Sequence, residues 1–160
     1  MASEEFMTKG GKQKGAFVPS YLLYLLAASS EAASAQFHAR VRANGLRVPE
    51  WRVLACLSDQ DGLMITRLAE YALAEQSRLT RIVDQMDKKG LVERRVDDGD
   101  RRKVRVHLTD AGRALAETLV QEARDHESRL LGLLEDTDAA RIKPALQALL
   151  RSLEHVSPGD

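Results

Sequence analysis

The chain has 160 residues, and its 24 Lys and Arg balance its 24 Asp and Glu, so the formal net charge is zero. A hydrophobic share of 44% with 30% charged residues is typical of one folded domain and excludes a largely disordered chain. One cysteine excludes a disulfide framework. The longest apolar run, Tyr21 to Ala28, has eight residues, whereas a membrane span takes about 20. We expect a cytoplasmic protein.

The amino-terminal part is predicted to be a tail followed by a long helix. Residues 1–15 are polar, rich in Gly and Lys, and without periodicity, which predicts a mobile tail. From Pro19 to Val41 apolar residues recur at helical spacing, and Gly45 follows as a stop. The first two turns are apolar on nearly every side, so a partner must cover them. Residues 16–48 are therefore predicted to form a dimerisation helix.

Three helices are predicted in the first part of residues 49–113. Pro49 suits the first turn of the second helix of the chain, which ends near Asp61. A short third helix has Leu68, Ala69 and Ala72 on its apolar face, and a fourth runs from about Ser77 to Lys89. The fourth is amphipathic: one face carries Leu79, Ile82, Val83 and Met86, and the other carries Arg78, Thr80, Arg81, Gln85 and Lys88.

The hydrophobic period then changes from 3.6 to 2, which predicts a hairpin. Leu91 to Val96 and Lys103 to Leu108 are the strands, and Asp97-Asp98-Gly99 is the turn. Residues 76–113 hold eleven basic and seven acidic side chains, a local charge of +4. A basic middle in a neutral chain indicates a localised anionic partner.

Two further helices complete the chain, and residues 114–156 are predicted to be carboxy-terminal dimerisation helices. Thr109-Asp110 caps the first, whose apolar stripe runs from Ala116 to Leu134. The last begins at Asp136-Thr137-Asp138 and contains Pro144, which should bend it. Its predicted inward residues are Ile142, Leu146, Leu149 and Leu153.

The exposed first turn of the fourth helix suits the major groove of DNA. It carries Ser77, Arg78, Thr80 and Arg81. Arginine pairs bidentately with guanine, and hydroxyls suit phosphates or bases. A merely solvated charged helix is the alternative, and the basic hairpin that follows directly argues against it.

The stretch Gly62–Arg113 resembles the MarR (multiple antibiotic resistance regulator) family of winged helix-turn-helix repressors. The resemblance rests on SRLTRIVDQMDKKGLVERR and DDGDRRKVRVHLTDAGR, above all on the D-x-R-x-x-x-V-x-L-T run from Asp100 to Thr109. It implies a mainly α fold with a small β-hairpin wing and amino- and carboxy-terminal dimerisation helices. It also implies a homodimer on a pseudo-palindromic operator, released by small molecules, often aromatic acids, or by oxidants. Leu73 departs from the pattern, because glycine is usual there, and Pro144 is a second departure.

The predicted contacts with double-stranded DNA lie on the fourth helix and the wing. In the wing we expect Asp100 to pair with Arg102 and to aim its guanidinium into the minor groove, a division of labour that the resemblance supports. Arg101 is then the phosphate contact. The full predicted set is Ser77, Arg78, Thr80, Arg81, Gln85, Lys88, Arg101 and Arg102.

An effector cleft is implied by the resemblance, between the dimer core and the DNA-binding lobe. Aromatic, hydroxyl and guanidinium groups there suit a phenolic or benzoic acid. The predicted residues are Tyr24, Ser30, Ser34, His38, Arg47, Trp51 and Arg52. The alternative is that Tyr24 and Trp51 only pack the core.

Other chemistry finds little support in the sequence. No nucleophile elbow, phosphate-binding glycine loop or paired-carboxylate site predicts an enzyme, and no cofactor or metal is expected. His38 with Glu31 and His126 with Glu122 are a weak alternative metal site. Cys56 is expected to be a buried structural thiol, and His107 to be solvated. A DNA-binding homodimeric repressor is the interpretation; the competing one is a helical module whose basic hairpin docks an acidic protein.

Overall fold

The computed structural model describes residues 15–154, so the predicted tail, apart from Gly15, and the last residues of the predicted 114–156 segment lie outside it. The chain divides into two compact units, Met1–Gln36 and Phe37–Asp160, and the division falls within one helix. Within the described range no helix is both long and apolar enough to cross a membrane. The elements in chain order are α1 (Phe17–Ser20), α2 (Leu22–Ala43), α3 (Val48–Asp59), β1 (Leu63–Met64), α4 (Ile65–Tyr71), α5 (Gln76–Lys88), β2 (Val92–Val96), β3 (Val104–Leu108), α6 (Asp110–Leu131) and α7 (Asp136–Glu154).

The first unit contains two helical segments where one continuous helix was predicted. A single turn, α1, precedes the start of α2, and Tyr21 between them has extended backbone angles. The rings of Phe17 and Tyr21 stack with centroids 4.8 Å apart. Leu22 and Leu23 remain 56% and 58% exposed, so the apolar start of α2 is uncovered in the single chain.

The second unit has its own hydrophobic core, formed by α3, α4, α5, α6 and the sheet. The predicted apolar face of α5 is confirmed: Leu79, Ile82, Val83 and Met86 are all buried. Leu54 and Leu57 of α3 also have no exposed surface. Fully burying each such side chain contributes about 1.5–3 kcal/mol, so this face holds α5 in place and leaves its charged face outward.

The turn between α4 and α5 keeps helix-turn-helix geometry although Leu73 replaces the usual glycine. Leu73 has a positive φ of 54°, the left-handed conformation that glycine favours. The Ala74 N–H reaches the Ala69 carbonyl at 3.0 Å and the Leu73 N–H reaches Glu70 at 3.2 Å, which together form a Schellman motif. The motif compensates a conformational cost of about 1–2 kcal/mol for a residue with a side chain.

The sheet has three antiparallel strands in the order β1-β3-β2. The predicted hairpin is confirmed, with Val92 opposite Leu108 and Val96 opposite Val104. Its loop is longer than the predicted turn, because the Asp97 N–H pairs with the Lys103 carbonyl at 2.9 Å. The strand β1, which pairs Leu63 with Val106, was not predicted, since two residues show no periodicity.

The two terminal helices differ in how far they are covered. Thr109 caps α6 as predicted, accepting a hydrogen bond from the Gly112 N–H at 3.0 Å. α6 ends at Leu131, so Leu134 lies in the following loop rather than on its stripe. The predicted inward residues of α7 are not buried: Ile142, Leu146 and Leu153 are 41%, 39% and 58% exposed and Leu149 is half-buried. Within the described residues this stripe therefore stays partly exposed.

We predict that Gly112→Ala strongly destabilises the fold. A Cβ at Gly112 would lie 1.8 Å from the carbonyl oxygen of Leu91, so the start of α6 would have to move away from the backbone of Leu91. The expected loss is about 1–3 kcal/mol or more in the free energy of unfolding, measured by urea denaturation. Gly132→Ala is the control, because its Cβ would meet ordinary contacts at 3.4 Å. Equal stability of the two variants would contradict the prediction.

Candidate nucleic-acid interface

The exposed face of α5 gathers most of the predicted DNA contacts. At about 100° per residue, Arg78, Arg81, Gln85 and Lys88 fall within an arc of about 80°, and all four side chains are exposed. Ser77, also exposed, lies at the edge of this arc. We call Arg78, Arg81, Gln85 and Lys88 the basic arc.

Thr80 does not belong to the basic arc. It is half-buried, and its hydroxyl donates to the Gln76 carbonyl at 2.9 Å. Its own carbonyl accepts a hydrogen bond from Arg94 of β2 at 3.3 Å. Thr80 is therefore less exposed than predicted, because this side of the helix faces the hairpin.

An ion pair joins α5 to the hairpin on that side. The Arg94 guanidinium pairs with Asp84, one helical turn after Thr80. The same guanidinium thus contacts both a side chain and a carbonyl of α5, and it holds β2 against the helix. Sequence reasoning missed this pair, which joins residues ten positions apart in two different elements.

A buried carboxylate lies on the opposite side of α5. Glu50 in the first turn of α3 has no solvent exposure and accepts hydrogen bonds from the Arg47 backbone N–H at 2.7 Å, the Arg47 guanidinium at 3.2 Å and Lys89 at 2.8 Å. Arg47 also donates to the side-chain carbonyl of Gln85. Arg47 was predicted to line an effector cleft; in the structure its side chain contacts the basic arc instead.

Glu50 is ionised because its partners outweigh its burial. Burial by itself raises the pKa of a carboxyl group, but the hydrogen bonds from Lys89 and Arg47 bring the pKa of Glu50 below its ordinary value. The sequence contained a signal for this residue, an acid in the first turn of a helix, but no signal for Lys89 as its partner.

Two aspartates organise the wing, which comprises β2, β3 and the loop between them. Asp97 accepts hydrogen bonds from the backbone N–H groups of Gly99 at 2.9 Å and Asp100 at 3.1 Å, and it pairs with Arg105. These contacts lower the pKa of Asp97, the hydrogen bond from Arg105 most of all. Asp97 therefore shapes the loop.

Asp100 contacts the Arg102 backbone and not its guanidinium. Its carboxylate accepts from the Arg102 N–H at 3.1 Å and lies 3.6 Å from the ammonium group of Lys103. The expected guanidinium pair is therefore corrected to a backbone contact. Arg101 and Arg102 are exposed, and Arg102 lines a cleft of about 260 Å³ with Lys103, Gln76 and Thr80. The cleft connects the wing to the start of α5.

His107, predicted to be solvated, is part of a cluster behind the wing. It is half-buried with its Nδ1 3.1 Å from the carboxylate of Asp61. Asp61 also accepts from the Leu108 N–H at 2.8 Å and lies 3.5 Å from Arg113. The cluster ties β3 and α6 to the end of α3.

The predicted effector residues are distributed over both units. Tyr24, Ser30 and Ser34 belong to the first unit, where the Ser34 hydroxyl donates to the Ser30 carbonyl at 2.6 Å. In the second unit, burial and the charges of Arg42 and Arg52 lower the pKa of His38.

A cleft in the second unit combines an aromatic ring with charged groups. Trp51 packs edge-on against Phe37, with centroids 5.1 Å apart, and lines an opening of about 260 Å³ between α3 and α6. The α6 side of this cleft includes Val120, Ala123, Arg124 and Glu127. Trp51 is the one predicted effector residue in this lining.

The remaining candidates have structural surroundings. Cys56 is half-buried rather than buried, and it lines a cavity of about 470 Å³ with Leu63 and Tyr71. Burial and the neighbouring Asp59 raise the pKa of its thiol. Glu122 lies 3.8 Å from Arg40, and the buried His126 stacks on Phe37. Within residues 15–154 no three His, Cys, Asp or Glu side chains are grouped to hold a metal.

A basic-faced helix in a helix-turn-helix, followed by an antiparallel hairpin, defines the winged-helix class of DNA-binding proteins. The MarR family model matches residues 46–104. The crystal structure of the MarR family transcriptional regulator SPO1453 from Silicibacter pomeroyi is 68% identical and covers 86% of this chain and 98% of that one, with a TM-score of 0.79. The chain belongs to the MarR family of winged-helix transcriptional regulators.

Two more distant relatives bear on regulation. The organic hydroperoxide resistance transcriptional regulator of Bacillus subtilis is 28% identical over 82% of this chain and 88% of its own length. A MarR family protein of Mycobacterium tuberculosis, solved in complex with salicylic acid, is 27% identical, with a TM-score of 0.65 over 80% of this chain and 95% of that one.

We predict that Glu50 makes stability depend on pH in the acid range. Its folded-state pKa is lowered, so its contribution is complete above its ordinary value and is lost as pH falls through the folded-state pKa. At pH 7, Glu50→Gln should lower the free energy of unfolding by about 3 kcal/mol, because it weakens a buried ion pair.

The loss is measured by urea denaturation from neutral pH down to about pH 3. The difference in the free energy of unfolding between wild type and Glu50→Gln should become smaller below about pH 5. Glu70→Gln is the control, because Glu70 is an exposed partner of Arg67. A constant gap across the whole range would contradict an ionised Glu50.

Proposed function

We propose that the protein is a homodimeric repressor in which α5 of each subunit enters the major groove of a pseudo-palindromic operator. The observation that carries the proposal is the basic arc, which is exposed and lies on a helix whose apolar face is buried in the core. The arc presents two arginines, a glutamine and a lysine, which suit base edges and phosphates. Half-site centres are then about 10 bp apart, or a small multiple of that spacing.

The wing supplies the second contact of each subunit. Arg101 and Arg102 lie at its exposed end, next to the cleft shared with the start of α5. We assign Arg102 to the minor groove and Arg101 to a phosphate, since narrow grooves attract arginine. The Asp100 carboxylate supports this arrangement by holding the backbone of Arg102.

The uncovered apolar residues support a homodimer. In the first unit Leu22, Leu23 and Leu25 are 56%, 58% and 45% exposed, and in α7 Leu150 and Leu153 are 61% and 58% exposed. Apolar stripes of this extent mark association surfaces. A second copy of the chain carries the same two stripes and brings a second α5, which matches a two-fold operator.

We predict that Arg81→Ala loses operator affinity by about 1–3 kcal/mol and relaxes preference at particular base pairs. The operator is first selected from random duplexes, and binding of selected and scrambled duplexes is then titrated at several salt concentrations. Lys88→Ala, at the end of the helix, should weaken both duplexes about equally and reduce the salt dependence.

Unchanged discrimination by Arg81→Ala would remove the base-reading role of the basic arc. If the wild type selects no duplex but binds acidic polypeptides, the hairpin is a protein-docking element and the repressor proposal fails.

The cleft of Trp51 and Arg124 is proposed as an effector site for an aromatic carboxylic acid. The indole supplies a flat apolar wall and the guanidinium a partner for a carboxylate. The salicylic acid complex of the Mycobacterium tuberculosis relative supports this ligand class. The effector must bind the DNA-incompetent form better than the competent one, since equal affinity for both releases nothing.

We predict that salicylate releases operator DNA from the wild type. Arg124→Gln should raise the salicylate concentration needed by about tenfold or more, because it removes one charge-assisted hydrogen bond to the carboxylate. DNA release is measured by fluorescence anisotropy. Arg129→Gln is the control, because Arg129 is exposed on the same helix and does not line the cleft.

If Arg124→Gln and Arg129→Gln respond alike, the cleft is not the effector site. Absence of any response below millimolar salicylate or benzoate excludes this ligand class.

A further inference from the structure

Arg47 reaches the basic arc from outside the recognition helix α5. It precedes the first residue of α3, yet its guanidinium donates to the side-chain carbonyl of Gln85. A guanidinium has only donors, so the amide of Gln85 must turn its carbonyl oxygen towards Arg47 and its NH₂ group away. The orientation of this amide therefore follows from the chemistry of the pair.

Arg47 is held in place before any DNA arrives. The buried carboxylate of Glu50 binds its backbone N–H at 2.7 Å and its guanidinium at 3.2 Å. Lys89, the residue directly after α5, binds the same carboxylate at 2.8 Å. The conformational entropy of a long side chain is lost on folding, so a pre-ordered Arg47 adds no such cost on binding.

Gln85 lies on the same arc as Arg78 and Arg81, so its amide faces the surface that those arginines present. An unrestrained glutamine reads adenine bidentately, accepting from the N6 amino group and donating to N7. In this structure Arg47 takes one of the two lone pairs of the carbonyl oxygen and keeps that oxygen turned towards itself, so the pair presents mainly N–H donors. Guanine offers two acceptors in the major groove, O6 and N7, whereas adenine offers one acceptor and one donor.

We infer that Arg47 is a specificity-determining residue that fixes the amide of Gln85 and makes one base pair of each half-site favour guanine over adenine. The inference rests on the proposed entry of α5 into the major groove. It adds to the residues that set operator specificity one that directly precedes α3 and lies outside the helix-turn-helix.

The test compares base preferences, which a purely structural role of Arg47 does not change. Bound sites are selected from random duplexes for the wild type, Arg47→Ala, Gln85→Ala and Arg42→Ala, and affinities for guanine and adenine versions of the site are then titrated. Arg42→Ala removes one exposed arginine elsewhere and controls for net charge. Thermal melting checks folding, and Arg47→Ala keeps the backbone N–H and Lys89 as partners of Glu50.

We expect the wild type and Arg42→Ala to prefer guanine at one position by at least about fivefold, the lower end for a specific contact. In Arg47→Ala the preference should disappear or turn towards adenine, and Gln85→Ala should lose it as well. A double variant that combines Arg47→Ala with Gln85→Ala should show no further change in preference.

Two results overturn the inference. One is an Arg47→Ala protein that binds every duplex more weakly by one common factor, with the base preference intact. The other is a Gln85→Ala protein that keeps the preference for guanine. This result can be measured even if Arg47→Ala has a lowered melting temperature. A wild type that selects no site at all overturns the proposed function instead, so the two failures are distinguishable.

Discussion

The buried carboxylate of Glu50 imposes the constraint on which the proposed DNA-binding surface depends. An ion without solvent exposure must be paired and hydrogen-bonded, and its three donors come from Arg47 and Lys89. The start of α3 and the end of α5 are thus tied to one group. Arg47 also donates a hydrogen bond to Gln85. The same constraint that holds the helix therefore also orders the side chain of Gln85 on the proposed DNA-binding surface.

Charge in the basic middle of the chain is divided between structure and binding. Asp84 pairs with Arg94, and Asp97 pairs with Arg105, so these acids hold the hairpin to α5 and shape its loop. Exposed ion pairs contribute little stability, about 0–1 kcal/mol each. Their role here is to position the hairpin and its loop. On the proposed DNA surface, by contrast, Arg78, Arg81, Arg101 and Arg102 take part in none of the ion pairs of the described residues.

The proposed homodimer explains why a single chain looks incomplete. Its core lies in the second unit, while the apolar stripes at the start of α2 and along α7 remain uncovered. Burial of these stripes by a second copy would add to the hydrophobic stabilisation and place two recognition helices on one operator. Association and operator binding are then properties of the same assembly.

The sequence by itself determined the order of the helices, the buried face of α5, the hairpin and the class of function, because periodicity, caps and turn residues act locally. It also located the basic arc, since residues three and four apart share a helix face. Only the tertiary structure decided which charged side chains are paired, and with which partner. Glu50 meets Lys89, Asp84 meets Arg94, and Asp100 binds the backbone of Arg102 rather than its guanidinium. Most such pairs join residues distant in sequence, and the register of packed helices and strands, which no local pattern encodes, brings them together.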